Sequence, residues 1–227
     1  MMTLIYILAP AMLTMLSIKL TIKYPISISK PTARGLHDKP IPSSGGLSLL
    51  ISYLFLTLLT IVTMGHSITF NSTILILTFA TLLGFLDDKY SLSKLIRFIS
   101  QFILALWIVT INPELSIVLQ VFWVLFIVYF INIYNFMDGI DGLATAQAIF
   151  VLLSMGILTS YYSLGHLVIF IIPLLVFLFF NISPAKIFLG NSGSYLIAVL
   201  LSIIFYKSSY LDEHPININF LISIFIL

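Results

Sequence analysis

Residues 71–89 read NSTILILTFATLLGFLDDK: sixteen residues without a charge, 71–86, run directly into two adjacent aspartates, Asp87 and Asp88, and then Lys89. As a helix, such a stretch rises about 24 Å, most of the ~30 Å of hydrocarbon in a bilayer. A carboxylate pair at its end sits where the chain leaves the apolar phase. This arrangement of apolar block followed by clustered charge recurs along the chain and sets the expected fold.

Of the 227 residues, 60% are hydrophobic and only 8% are charged, and the mean hydropathy is +1.17. Soluble domains usually carry about a quarter charged residues, so a water-soluble surface is excluded. Working outward from 71–86, the apolar blocks predict spans at 2–22, 45–64, 71–86, 98–112, 117–134, 145–161, 166–182 and 195–206, with a ninth from 216 to the end. The expected fold is an all-α polytopic transmembrane bundle of about nine spans, forming one integral membrane domain over 1–227 in the lipid bilayer. The sequence holds no cysteine, which removes disulfides, thiolate metal sites and cysteine nucleophiles. The first block, 3–20, lacks the basic start and small-residue cleavage site of a signal peptide, and its lysines, Lys19 and Lys23, stand at its far end. It reads as a retained span with the N-terminus outside.

The placement of charge predicts the topology. The connections after the first, third and seventh spans carry Lys23, Lys30, Arg34 and Lys39, then Lys89, Lys94 and Arg97, then Lys186, whereas the alternate connections carry only Lys207. With Lys19, nine of the ten basic residues fall on one side, which the positive-inside rule assigns to the cytoplasm. The net charge of +2 gives no case for a nucleic-acid partner.

The acidic residues carry the functional signal, because carboxylates beside hydrocarbon are expensive and are kept for ions, protons or ligands. Asp87 and Asp88 repel each other, so keeping both calls for a cation, either a metal or a basic side chain. Lys94, Arg97 and Gln101 follow at helical spacing on one face, a basic stripe suited to an anionic ligand. The second cluster, NIYNFMDGIDGLA over 132–144, places Asp138 and Asp141 three residues apart between glycines. It lacks the further oxygen ligands and closing Glu of a calcium loop. The segment 181–194, NISPAKIFLGNSGS, leads into the next span, and its glycines and serines at a helix start offer backbone N–H groups and hydroxyls to phosphate oxygens, with Lys186 nearby. Each of these residues taken alone also has a plainer reading, as an interfacial snorkelling base or a helix cap.

Taken in order, the strings RGLHDKPIP (34–42) with Gly45-Gly46, the segment from Asp87 to Gln101, 132–144 and 184–194 resemble the polyprenyl-phosphate N-acetylhexosamine-1-phosphate transferases, glycosyltransferase family 4. The wording around Tyr134 to Gly142 is similar to the branch acting on O-antigen and related amino sugars. The resemblance implies transfer of a sugar-1-phosphate from a UDP-sugar to membrane polyprenyl (undecaprenyl) phosphate, with release of UMP, at the cytoplasmic face of the cell (inner) membrane. It further implies that Asp87 and Asp88 form the essential acidic pair. Asn135, Asn191 and Asp88 would hold Mg²⁺, or Mn²⁺ in its place. Asp138 and Asp141 would bind the nucleotide, Phe188 would stack on uracil, and Lys39, Lys94, Arg97, Lys186 and Ser194 would contact substrate. A homodimer is compatible with this reading.

Two departures from the family pattern stand out. The family string Gly-Asp-x-Gly-Ser appears here as Gly190-Asn191-Ser192-Gly193-Ser194, which removes a carboxylate and predicts weaker metal binding. The family's histidine-containing loop before its last span has no counterpart before Leu227, and His37, His66, His166 and His214 do not replace it. The expectation is therefore a C-terminally truncated transferase. The alternatives are an impaired or inactive relative and, more distantly, an ion-coupled transporter, which the position of the acids at helix ends disfavours.

Overall fold

The computed structural model describes residues 2–29, 31, 39–64, 68–111, 115–158 and 164–211. The expected ninth span, most of the 34–42 string, and His37, His66 and His214 lie outside these residues. Eight helices are described: α1 (Met2–Lys23), α2 (Gly45–Met64), α3 (Ile68–Tyr90), α4 (Lys94–Val109), α5 (Ile117–Met137), α6 (Leu143–Leu158), α7 (Leu164–Asn181) and α8 (Gly190–Leu211). Four of them, α1, α2, α5 and α8, are long and apolar enough to cross a membrane, and α6 and α7 are shorter apolar helices. Side chains such as Met12, Val62, Val118 and Phe179 are more than 70% exposed, a surface that suits hydrocarbon and not water. The chain is a polytopic helical membrane protein.

The helix α8 is the axis of the bundle. In its apolar window 89% of residues are buried, against 22% for α1, and it packs against α2, α3, α5 and α6. The outer pair α1 and α2 is joined by small polar side chains: Thr14 and Ser52 hydroxyls lie 2.7 Å apart, and Thr21 and Ser48 hydroxyls 3.1 Å apart. Hydroxyl pairs of this kind let membrane helices approach closely and satisfy one another where water is absent.

Helix ends differ from the expected spans mostly by extension. The expected span 71–86 belongs to a helix that continues to Tyr90, so the acidic pair lies in the last turn of α3 and not in the loop after it. The turn that follows is compact. Ser91 adopts φ +50°, its N–H bonds to the Asp87 carbonyl at 2.8 Å, and Leu92 N–H donates to Asp87 Oδ1 at 3.0 Å. Ser93 then caps α4 by accepting from Ile96 N–H at 3.3 Å. The helix α4 thus starts four residues before the expected 98 and takes Lys94 and Arg97 into its first turn. A two-stranded antiparallel pair, β1 (Ile28–Ser29) with β2 (Ile41–Pro42), was not expected from the sequence.

Because successive helices alternate in direction, the ends of α3, α5 and α7 and the starts of α2, α4, α6 and α8 meet at one end of the bundle. The segment between α7 and α8 knits them together. Phe188 N–H donates to the Pro42 carbonyl at 2.8 Å, and the Gly45 and Gly46 N–H groups donate to the Phe188 and Leu189 carbonyls, each at 3.1 Å. Buried Asn181 donates to the Ile187 carbonyl at 3.0 Å and accepts from the Thr145 hydroxyl at 3.1 Å.

Candidate active site at the start of the central helix

The first turn of α8 has N–H groups with no partner inside the helix. Its neighbours supply carboxylates. Gly190 N–H bonds to Asp138, Asn191 N–H donates to Asp88 Oδ1 at 3.0 Å, and Ser192 N–H donates to Asp88 Oδ2 at 3.1 Å. Asp88 therefore caps a helix more than 100 positions away in sequence, and its charge suits the positive end of the α8 dipole. This approach needs glycine at three points. A Cβ on Gly84 would overlap the Asn191 backbone, one on Gly46 would overlap Gly193, and one on Gly190, at φ +70°, would overlap the Ser43 carbonyl and the Asp88 carboxylate.

Asp87 is 4% exposed and is held differently. Its Oδ1 takes the Leu92 N–H, while its Oδ2 accepts the Asn191 side-chain amide at 2.9 Å and faces Arg97 Nη1 at 3.5 Å. All four oxygens of the pair thus meet an N–H donor. On the far side of the turn, the Ser194 hydroxyl donates to Asn135 Oδ1 at 2.7 Å and also reaches the Asn191 carbonyl at 3.3 Å. Asp141 Oδ2 accepts the Ala185 N–H at 3.4 Å, tying the second acidic cluster to the segment before α8.

Among the described residues, Arg97 is the base that pairs with the acidic cluster. Burial, reinforced by Asp87, pushes the Asp88 carboxyl up to about 6, against the lowering effect of the Asn191 and Ser192 N–H groups. Burial also pushes Asp138 well above the usual carboxylate range, and the charge of Asp88 adds to the shift. Both groups lie just past the apolar stretches of their helices. A cation would favour their ionised forms. Carboxylate and amide oxygens of Asp87, Asp88 and Asn135 are hard donors of the kind Mg²⁺ or Mn²⁺ prefers, so the donor types fit such an ion, while among the described residues no group of three or more His, Cys, Asp or Glu side chains is arranged to hold one. Asn191 is the exception, since its nitrogen and not its oxygen faces Asp87.

The structure therefore brings Asp87, Asp88, Arg97, Asn135, Asp138, Asn191 and Ser194 together around one helix start. Lys39, Lys94 and Lys186 are exposed at the same end, and Phe188 is half-buried beside β2. The backbone N–H groups of 190–192, which the sequence offers to phosphate, are already engaged by Asp88 and Asp138. One network went unread in the sequence. Asn132 donates to Gln101 Oε1 at 2.7 Å and Gln101 donates to the Tyr195 hydroxyl at 3.1 Å, linking α5, α4 and α8 just beneath Arg97. The helical spacing of Arg97 and Gln101 was its available signal; Tyr195 had none.

With this geometry in view, the comparison with known proteins is specific. The family described as "Glycosyl transferase family 4" matches residues 69–209, which contain every residue of the cluster. The chain belongs to glycosyl transferase family 4. It is 33% identical to the "Probable undecaprenyl-phosphate N-acetylglucosaminyl 1-phosphate transferase" of Bacillus subtilis, across 80% of this chain and 56% of that protein. It is 32% identical to the undecaprenyl-phosphate alpha-N-acetylglucosaminyl 1-phosphate transferase of Thermotoga maritima, across 77% and 55%. Against the phospho-N-acetylmuramoyl-pentapeptide-transferase of Staphylococcus saprophyticus the identity is 31%, across 67% and 58%. The family 4 chain thus spans little more than half the length of the curated relatives it matches.

Proposed function

We propose that this family 4 chain carries the catalytic centre of a transferase that moves a sugar-1-phosphate, of the N-acetylhexosamine type, from a UDP-sugar to polyprenyl phosphate. A phosphate oxygen of the lipid forms a bond to the sugar-linked phosphorus, the bond from that phosphorus to the bridging oxygen breaks, and UMP leaves with the electron pair. A lipid diphosphate sugar remains. The observation that carries this reading is the convergence of Asp87, Asp88, Asn135 and Arg97 on the first turn of α8. Phosphoryl transfer asks a protein chiefly for positioning and charge compensation.

Asp88 and Asn135 would hold Mg²⁺, with Asp87 beside them, and the bound ion would neutralise charge on the diphosphate. Asp87 orients the site and is not needed as a base, because a phosphate monoester with a second pKa near ~6 is already largely dianionic at neutral pH. Arg97 and the exposed Lys39, Lys94 and Lys186 supply positive charge to anionic substrate. Asp138 and Asp141 meet the nucleotide, and Phe188 offers a ring face to uracil. The site faces the cytoplasm with the N-terminus outside, so a soluble UDP-sugar reaches it from one side and the lipid phosphate from the bilayer.

The test supplies membranes containing the chain with Mg²⁺, polyprenyl phosphate and a panel of UDP-sugars. UMP release that requires the lipid supports the reading, and silence of both the native chain and Asn191→Asp overturns it. The hydrogen bond from Asn191 to Asp87 also favours a second reading, a relative that binds ligand without turnover. Lipid-dependent UMP release abolished by Asp87→Asn would exclude that alternative.

A further inference from the structure

Asn191 meets Asp87 as a hydrogen-bond donor, which an ionised carboxylate at this position could not do. Asp87 Oδ2 is an acceptor, so the 2.9 Å contact requires the NH₂ end of Asn191, and the oxygen end is turned away from it. The backbone fixes the partners: Asn191 N–H is held by Asp88 Oδ1, Ser192 N–H by Asp88 Oδ2, and Gly84 packs against the Asn191 carbonyl without room for a Cβ. The side chain is thus aimed at Asp87 by a frame that has little freedom to move.

A carboxylate in this place would join Asp87, Asp88 and Asp138 as a fourth acid around one helix start, facing Asp87 with Arg97 as the nearby counter-charge at 3.5 Å. Such a cluster needs a cation to stay together. The amide removes that need. It adds no charge, and it donates a hydrogen bond to an Asp87 oxygen beside the proposed Mg²⁺ ligands Asp88 and Asn135.

We infer that the Asn191 amide stands in for a divalent cation as the partner of Asp87, so that this chain keeps its acidic pair and the start of α8 assembled without metal and admits Mg²⁺ only weakly, by giving up that hydrogen bond. The inference rests on the proposed metal-assisted reading of the site, but it concerns assembly and affinity and not turnover. Asn191 acts here as a positioning residue.

The experiment uses the full chain in detergent or nanodiscs without UDP-sugar or lipid phosphate. Thermal unfolding is followed in EDTA and in Mg²⁺, and Mn²⁺ binding is titrated by the loss of its free paramagnetic signal. The native chain is expected to unfold at the same temperature in both media. The Asn191→Asp variant is expected to unfold earlier in EDTA, to recover in Mg²⁺, and to bind Mn²⁺ at least about tenfold more tightly than the native chain. Asn191→Ala separates a merely structural contribution, since it lowers the unfolding temperature equally with and without Mg²⁺.

A native chain whose unfolding temperature rises in Mg²⁺ as far as that of Asn191→Asp overturns the inference. So does an Asn191→Asp variant that ignores Mg²⁺ and binds Mn²⁺ no better. If Asn191→Asp does not fold, the native chain alone decides: unfolding indifferent to Mg²⁺ upholds the inference and a marked rise sinks it. Because no turnover is read, failure of UMP release leaves this result standing, and UMP release from a Mg²⁺-stabilised native chain would refute only the inference.

Discussion

The two acidic clusters look alike in sequence and are built differently. Asp87 and Asp88 lie under the first turn of α8, with Asp87 4% exposed and every oxygen of the pair accepting an N–H. Asp138 and Asp141 are half-buried on the turn between α5 and α6, flanked by the exposed side chains of Phe136 and Ile140, and they bond to the backbone of Gly190 and Ala185. The first pair therefore serves the fold and the site at once. The second ties the turn after α5 to the segment that leads into α8.

Substitutions break this comparison in graded ways. The largest effect is expected for Asp88→Ala, which strips the acceptor from two N–H groups of α8. A loss of about 3 kcal/mol in chemical unfolding is expected, together with loss of transferase activity. Next is Gly84→Ala, whose methyl group must push α3 away from the Asn191 backbone. It should cost about 2 kcal/mol in chemical unfolding, because the acidic pair moves with α3. Asp141→Asn should reverse the balance. Stability is expected to shift by no more than about 0.5 kcal/mol, while the Michaelis constant for UDP-sugar rises about tenfold through loss of a charge-assisted contact. The smallest effect overall is expected for Gln101→Leu, which cuts the Asn132–Gln101–Tyr195 chain and should cost about 1 kcal/mol in unfolding, less than the ~1.4 kcal/mol that a tenfold change represents.

The apolar blocks located the helices, and Gly45 and Met64 bound α2 where the sequence placed it. The helix ends that carry chemistry were misplaced. Charge normally marks the exit from a helix, yet Asp87 and Asp88 stay helical because α8, the following turn and Arg97 supply their partners. The start of α8 was set five residues late, at 195 in place of Gly190, for the same reason: 190–194 reads as a loop until Asp88 and Asp138 are seen to cap it. The residues of the cluster were visible as types in a motif. Their pairings were not, because these depend on a close approach of α2, α3 and α8 at Gly46, Gly84 and Gly193 that no local pattern encodes. The direction of the Asn191 amide belongs to the same class of fact, since only the position of Asp87 determines it.

The central proposal is that the acidic pair and the start of α8 form one phosphoryl-transfer centre. Its most direct test is mass-spectrometric detection of polyprenyl diphosphate sugar in membranes supplied with UDP-sugar and polyprenyl phosphate, comparing the native chain with Asp88→Asn, which keeps the shape and one acceptor oxygen but removes the charge. The product is expected with the native chain and absent with Asp88→Asn, while the variant remains folded. Equal product from both would contradict the account.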